Sequence, residues 1–121
     1  MEKTILIVDD SESIREVVKA TLENANYGVI VAVDGLDALG KLDGKQIDLI
    51  ITDLNMPNKD GIELIRDARA LDTYKFTPIL LLTTESQAEK KQEAKEAGAT
   101  GWIVKPFVQD KLLAVIQKVL R

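Results

Sequence analysis

Four places in the chain carry side chains suited to chemistry on phosphate. Asp9 and Asp10 stand side by side after the apolar run Ile5-Leu6-Ile7-Val8. Asp53 follows Leu49-Ile50-Ile51-Thr52 and leads into Leu54-Asn55-Met56-Pro57. Thr83-Thr84-Glu85 follows Ile79-Leu80-Leu81-Leu82, and Lys105-Pro106 follows Ile103-Val104. Two carboxylates ~4 Å apart repel by about 4 kcal/mol at an effective dielectric of 20. If Asp9, Asp10 and Asp53 converge, they must raise a pKa or take a cation. A hard divalent ion suits an all-oxygen site, and magnesium favours one or two carboxylates together with water and phosphate oxygens. Lys105 adds a positive charge and Thr83 a hydroxyl. Acids, a metal, a lysine and a hydroxyl are equipment for handling a phosphoryl group.

Each of these residues also has an ordinary explanation. Asp9-Asp10 could be acids at a helix N-terminus, stabilising its dipole by ~0.3–1 kcal/mol. Asp53 could be a turn former, Thr83 a strand-end hydroxyl and Lys105 a solvated lysine. What separates the two readings is arrangement: every one of them directly follows or ends a short apolar run.

Those runs, with Val29-Ile30-Val31-Ala32-Val33 ending near Asp34, are continuous rather than alternating. The pattern predicts strands buried on both faces, as in a parallel sheet. Helical spacing fills the intervals: Ile14, Val17, Val18, Leu22 and Ala25; Leu36, Leu39 and Leu42; Ile62, Ile65, Ala68 and Leu71; and Leu112, Leu113, Ile116, Val119 and Leu120. The segment from Gln87 to Ala97 offers only alanines among Glu, Lys and Gln, which predicts a weakly anchored helix. Strand and helix alternate throughout, so the expected fold is α/β, a doubly wound five-stranded parallel sheet with five helices. In such a sheet all strands end on one side, where ligands bind.

Composition narrows the functions. The chain has 121 residues, enough for one domain with a real core. Lys plus Arg number 16 against 20 Asp plus Glu, a net charge of −4, so there is no basic excess for nucleic acid or an acidic membrane. Cysteine and histidine are both absent. No thiol or imidazole can then serve as nucleophile, base, metal ligand or phosphocarrier. No apolar run approaches the ~18 residues of a membrane span, and the start of the chain lacks a signal-peptide core. A cytoplasmic protein without membrane or nucleic-acid partners is expected.

The residues resemble the receiver domain of two-component response regulators over the whole chain. The motifs are Val8-Asp9-Asp10-Ser11, Thr52-Asp53-Leu54-Asn55-Met56-Pro57 with Gly61, Leu82-Thr83-Thr84-Glu85, and Gly98-Ala99-Thr100-Gly101-Trp102-Ile103-Val104-Lys105-Pro106-Phe107. Among receivers the likeness is greatest to the stand-alone chemotaxis type. The resemblance implies the strand order 2-1-3-4-5. It implies that Asp53 accepts a phosphoryl group from a histidine kinase, and that Mg²⁺ is held by Asp10, Asp53 and the backbone carbonyl of Asn55, with Asp9 acting mainly through water. Thr83 would hydrogen-bond the phosphoryl group, Lys105 would pair with it across a cis Lys105-Pro106 bond, and Thr83 and Trp102 would form the switch. Asn55 and Glu85 would tune dephosphorylation, with a phosphatase as one partner. Trp102 stands where the family often has Tyr or Phe, and Leu54 leaves no tryptophan beside the acceptor.

The expected output is a conformational change at the face made by the fourth helix, fifth strand and last helix. It would be read by a downstream protein such as a flagellar motor switch. Such a protein promotes its own phosphorylation and dephosphorylation without being a turnover enzyme. Because the chain ends at Arg121 just after the last helical stripe, one receiver domain over residues 1–121 with no output domain is expected. A phosphorelay role unrelated to motility is the main alternative. A Mg-dependent phosphohydrolase and a flavodoxin-like carrier are more distant ones: Asp9-Asp10 would repel a flavin phosphate, and no cap or substrate pocket is apparent. The stretch Gly35-Leu36-Asp37-Ala38-Leu39-Gly40-Lys41-Leu42 has the frame of a phosphate-binding loop but lacks its final Ser or Thr, and reads as a helix.

Overall fold

The computed structural model describes residues 2–84 and 88–120. Its elements are β1 (Thr4–Val8), α1 (Glu12–Asn24), β2 (Gly28–Ala32), α2 (Gly35–Lys41), β3 (Leu49–Asp53), α3 (Gly61–Arg69), β4 (Ile79–Thr83), α4 (Ala88–Ala97), β5 (Gly101–Val104) and α5 (Gln109–Leu120). All strand pairs are parallel, and the sheet order is β2-β1-β3-β4-β5, as the resemblance implied.

Successive side chains on a strand point to opposite faces, so each central strand feeds two cores. Ile5, Ile7, Leu49, Ile51, Leu80 and Leu82 pack under α1 and α5, meeting Val18, Leu22, Leu112 and Ile116. Leu6, Val8, Ile50, Ile79 and Leu81 face the other way, onto Ala38 of α2, Leu64, Ile65 and Ala68 of α3, and Ala94 of α4. Burial on both faces holds in full for β4, for all of β3 but its last residue and for all of β1 but its first. β2 is an edge strand and is mostly half-buried, and Val33 falls beyond it, exposed. Val17, expected within the α1 stripe, is also exposed. An outer strand has a neighbour on one side only, so β2 and the residue after it are less covered than the central strands.

Local signals place the helix starts. Ser11 caps α1 by accepting from the amide of Ile14, and Asp34 caps α2 by accepting from that of Asp37. The Asp37 amide, with Asn58 behind it, holds the Asp34 carboxyl below the usual carboxylate value. Asp60 opens α3 with a capping box, each of Asp60 and Glu63 accepting from the other's backbone N–H. α4 differs from the rest. Its one fully buried side chain among the described residues is Ala94, and an alanine contributes about one methyl, ~0.8 kcal/mol against roughly 1.5–3 for Leu or Ile. The C-terminal end of α4 is held from outside: the Arg69 guanidinium donates to the carbonyl of Gly98 through both Nε and Nη2, at 3.1 and 2.8 Å, and also to Tyr74, Lys75 and Thr77.

Because the capping box satisfies two otherwise unpaired backbone donors, Asp60→Ala is expected to lower folding stability by about 1 kcal/mol. The urea midpoint measures this; an unchanged midpoint would remove the box from the stability of α3.

Candidate functional site

The register of the sheet brings the chemical residues together. Val8 lies opposite Thr52, so Asp9 and Asp53, the next residues, emerge side by side at the C-terminal edge. Asp53 pairs with Leu82, and Thr83 follows one residue later. Thr83 in turn pairs with Val104, and the Lys105 amide continues the ladder by donating to the Thr83 carbonyl at 2.6 Å. The Lys105-Pro106 bond is cis. The loop after Asp53 must turn tightly into α3. There the Gly61 amide donates to the Leu54 carbonyl, and a Cβ at Gly61 would run into the carbonyl oxygen of Asp53.

One carboxylate oxygen from each of Asp9, Asp10 and Asp53 lies within 4.8 Å of the others. Asp9 is wholly buried; its Oδ1 accepts from the Ser11 amide at 2.9 Å and its Oδ2 from Lys105 Nζ at 3.2 Å. Asp53 Oδ1 accepts from the Leu54 amide at 2.9 Å and from Lys105 Nζ at 3.1 Å. Asp10 is exposed at the mouth. With all three acids ionised, one ammonium leaves two negative charges uncompensated (three minus one), which is the charge of one divalent cation.

The electrostatics carry the same strain. Burial pushes the Asp53 carboxyl above its ordinary value; the Lys105 hydrogen bond opposes this, and the charge of Asp9 adds to it. Burial by itself would lower Lys105, but the hydrogen bond and charge of Asp53, joined by Asp9, raise it overall. The lysine gains from two acids, whereas Asp53 shares one lysine with a neighbour of its own sign. The Thr83 hydroxyl completes the set. It is buried, and Oγ1 has no hydrogen-bond partner among the described residues. A buried polar atom in that condition costs about 1–3 kcal/mol unless something binds it. An all-oxygen acidic cluster of net charge −2 beside an unpartnered hydroxyl fits a divalent cation together with a phosphoryl group.

Asp9, Asp10, Asp53, Thr83 and Lys105 therefore meet at one edge. Asn55 lies two residues beyond Asp53, exposed in the loop. Trp102 lies on β5 and is 40% exposed, with Lys91 Nζ of α4 5.3 Å from its ring centroid. Glu85 and Gln87 lie outside the described residues. The phosphate-loop-like stretch forms α2. Its N-terminus is already engaged by carboxylates, since Asp34 accepts from the Asp37 amide and Asp37 from the Val33 amide, at 2.8 and 3.0 Å.

Two supports were not apparent from the sequence. Arg15 Nη1 donates to the Asp9 carbonyl at 2.7 Å. The signal was present, because helical side chains lean toward the N-terminus and an arginine one turn into α1 can reach back over the cap. Asn58 donates to Asp34 Oδ2 at 2.7 Å, tying the loop after β3 to the start of α2, a contact across 24 residues that no local pattern announces.

Comparison with known proteins gives a consistent result. The response regulator receiver domain family matches residues 5–117. The chemotaxis protein CheY-3 of Vibrio cholerae is 40% identical over 116 residues, covering 95% of this chain and 89% of that one. The structure of the chemotaxis response regulator CheY4 of Vibrio cholerae superposes with a TM-score of 0.94 at 51% identity, covering 99% of this chain and 100% of that one. The receiver domain of the sensor histidine kinase PA1611 from Pseudomonas aeruginosa, solved with a magnesium ion coordinated in its active-site cleft, superposes with a TM-score of 0.91 at 27% identity over 99% of this chain and 98% of that one.

The raised pKa of Asp53 has a consequence for stability. An acid that keeps its proton to higher pH when folded than when unfolded makes stability fall as pH rises through that interval. Its ionised form then opposes folding at neutral pH. Asp53→Asn should therefore raise the thermal midpoint of chelator-treated protein by a few degrees, and added Mg²⁺ should stabilise the variant less than the wild type. A lower midpoint for the variant would contradict the geometry described.

Proposed function

The chain belongs to the response regulator receiver domain family, and from that premise we propose that it is a phosphorylation-activated regulator of the chemotaxis type, with Asp53 as its phosphoacceptor. The observation that carries this is the meeting of Asp9, Asp10, Asp53 and Lys105 beside the unpartnered hydroxyl of Thr83. Receivers of this kind take a phosphoryl group from a histidine kinase and act on a downstream protein. No histidine is among these 121 residues, so a phosphohistidine donor lies outside them.

The residues divide the work. Asp53 presents a carboxylate oxygen to the phosphorus of a phosphohistidine; the new O–P bond forms as the P–N bond breaks, and the imidazole leaves with the donor. Asp10 and Asp53, with the Asn55 carbonyl, would hold Mg²⁺ directly and Asp9 would hold it through water. The metal, when bound, neutralises charge on the transferring oxygens, which is most of what phosphoryl transfer asks of a protein. Lys105 pairs with the phosphoryl oxygens once Asp53 no longer offers it a free carboxylate. Thr83 turns its hydroxyl to the phosphoryl group, and Trp102, half out in solvent against Lys91, moves into the space released. Among the described residues α4 fully buries one side chain, the alanine Ala94, so a small free-energy change can shift this helix. The exposed Trp102 and Val108 then form part of the surface a target reads. Asn55 and Glu85 tune the lifetime of the acyl phosphate.

The chain acts as a stoichiometric switch rather than a turnover enzyme. A cytoplasmic setting fits the absence, among the described residues, of any helix long and apolar enough to cross a membrane.

Acetyl phosphate or beryllofluoride should bind with one-to-one stoichiometry only when Mg²⁺ is present and should change Trp102 fluorescence. Asp53→Asn should abolish labelling, as read by mass spectrometry of acid-quenched protein. Labelling of that variant at full stoichiometry, or continuous turnover of acetyl phosphate without accumulation, would overturn the reading. Thr83→Val keeps volume and removes a hydroxyl that has no partner among the described residues, so metal-free stability should hold. The variant should still bind beryllofluoride while Trp102 responds weakly. A full response would place the switch elsewhere.

A further inference from the structure

The metal reading above leaves one ligand without visible support. Asp9 is anchored at every polar atom: its amide donates to the Ala32 carbonyl at 3.2 Å, Oδ1 accepts from Ser11, Oδ2 from Lys105, and its carbonyl from Arg15 at 2.7 Å. Asp10 is exposed, and its carboxylate makes no hydrogen bond or ion pair among the described residues. It nevertheless lies within reach of Asp9 and Asp53. Its direction must therefore come from the backbone that carries it. The peptide between Asp9 and Asp10 is planar, so the group that holds the Asp9 carbonyl also orients the Asp10 amide and, through it, the Asp10 side chain.

We propose that Arg15 is a positioning residue for the cation site: by donating to the Asp9 carbonyl it sets the Asp9–Asp10 peptide plane and aims the Asp10 carboxylate at Asp53. The inference rests on the metal reading. The short distance is that of a charge-assisted hydrogen bond, which holds a carbonyl more firmly than a neutral donor does. Arg15 is half-buried and has no ion-pair partner among the described residues.

Charge and orientation make opposite predictions here. A guanidinium next to an acidic pocket repels an incoming cation, so deleting it should tighten Mg²⁺ binding if charge were all that mattered. If orientation dominates, deleting it should weaken binding. The test is a Mg²⁺ titration of ¹⁵N-labelled protein followed through its amide resonances, which also report whether each variant is folded. Arg15→Gln should raise the Mg²⁺ dissociation constant about tenfold, near the low end for lost outer-sphere support because the removed charge offsets part of the effect. Arg15→Lys keeps a donor and the charge and should recover most of the affinity. Lys19→Gln, one turn further along α1, removes the same charge without touching Asp9 and should bind Mg²⁺ as well as or slightly better than wild type.

Arg15→Gln binding as tightly as wild type would overturn the proposal. So would an equal loss in Lys19→Gln. A readout free of substitution is the Arg15 side-chain nitrogen resonance in the wild type. It should shift with the same saturation curve as the Asp10 amide, and a signal indifferent to Mg²⁺ would also overturn the proposal. If the wild type itself shows no saturable Mg²⁺ shifts, the metal reading falls, and this inference falls with it. Binding by the wild type with an unaffected Arg15→Gln removes the inference alone.

Discussion

Three carboxylates held against one ammonium at the end of a buried sheet set the terms for the rest of this protein. Asp9 and Asp53 share Lys105 Nζ at 3.2 and 3.1 Å, and a carboxylate oxygen of Asp10 lies within the same cluster. Like charges gathered this way in a partly desolvated pocket are unfavourable unless compensated. The apolar ladder beneath them supplies the compensation in folding. β1, β3 and β4 bury nearly every side chain on both faces, and their register leaves those acids no alternative position. The site is strained because the sheet is stable, and the strain is what makes a divalent cation and a phosphoryl group welcome there.

Much of this could be read from residues alone. The continuous apolar runs marked the strands, and four of the five were followed or ended by a residue at the site, the exception being the run before Asp34, which caps α2. The composition of α4, alanine among charged residues, foretold its shallow seating. The caps Ser11, Asp34 and Asp60 came into view only with the structure, because Ser and Asp serve turns and sites as readily as helix starts. Strand order was legible only through family resemblance. Periodicity shows that strands are parallel, but it cannot show that β3 rather than β2 sits next to β4. The edge behaviour of β2 went unseen for the same reason, since exposure of Val33 depends on which strand has only one neighbour.

What stayed hidden was mostly long-range and side chain to backbone. Arg69 gathers carbonyls from two loops, one of them 29 residues away. The Tyr74 hydroxyl lies between the Lys45 carbonyl and the Gly44 amide. A carbonyl acceptor is present at every residue, so the sequence carries no mark of which one a side chain will choose. Gly61 is a partial exception. Its place in the motif was noted, but the reason appears only in three dimensions, where a side chain would strike the carbonyl of Asp53.

The arrangement of anchors along α4 connects the site to the opposite face of that helix. Among the described residues, its one fully buried side chain, Ala94, and the Arg69 clamp on Gly98 belong to its C-terminal half, whereas Lys91, nearer the start, lies over the ring of the half-exposed Trp102. A helix fixed at one end and lightly held at the other moves most cheaply by pivoting about the fixed end. The end away from the clamp is the one that follows β4, the strand carrying Thr83. A hydroxyl that gains a partner at the end of β4 therefore lies toward the end of α4 away from the Arg69 clamp. The same economy explains why α4 lacks leucine and isoleucine. Each such residue buried there would add roughly 1.5–3 kcal/mol to one position of the helix, comparable with the ~1–3 kcal/mol typical of coupling between sites.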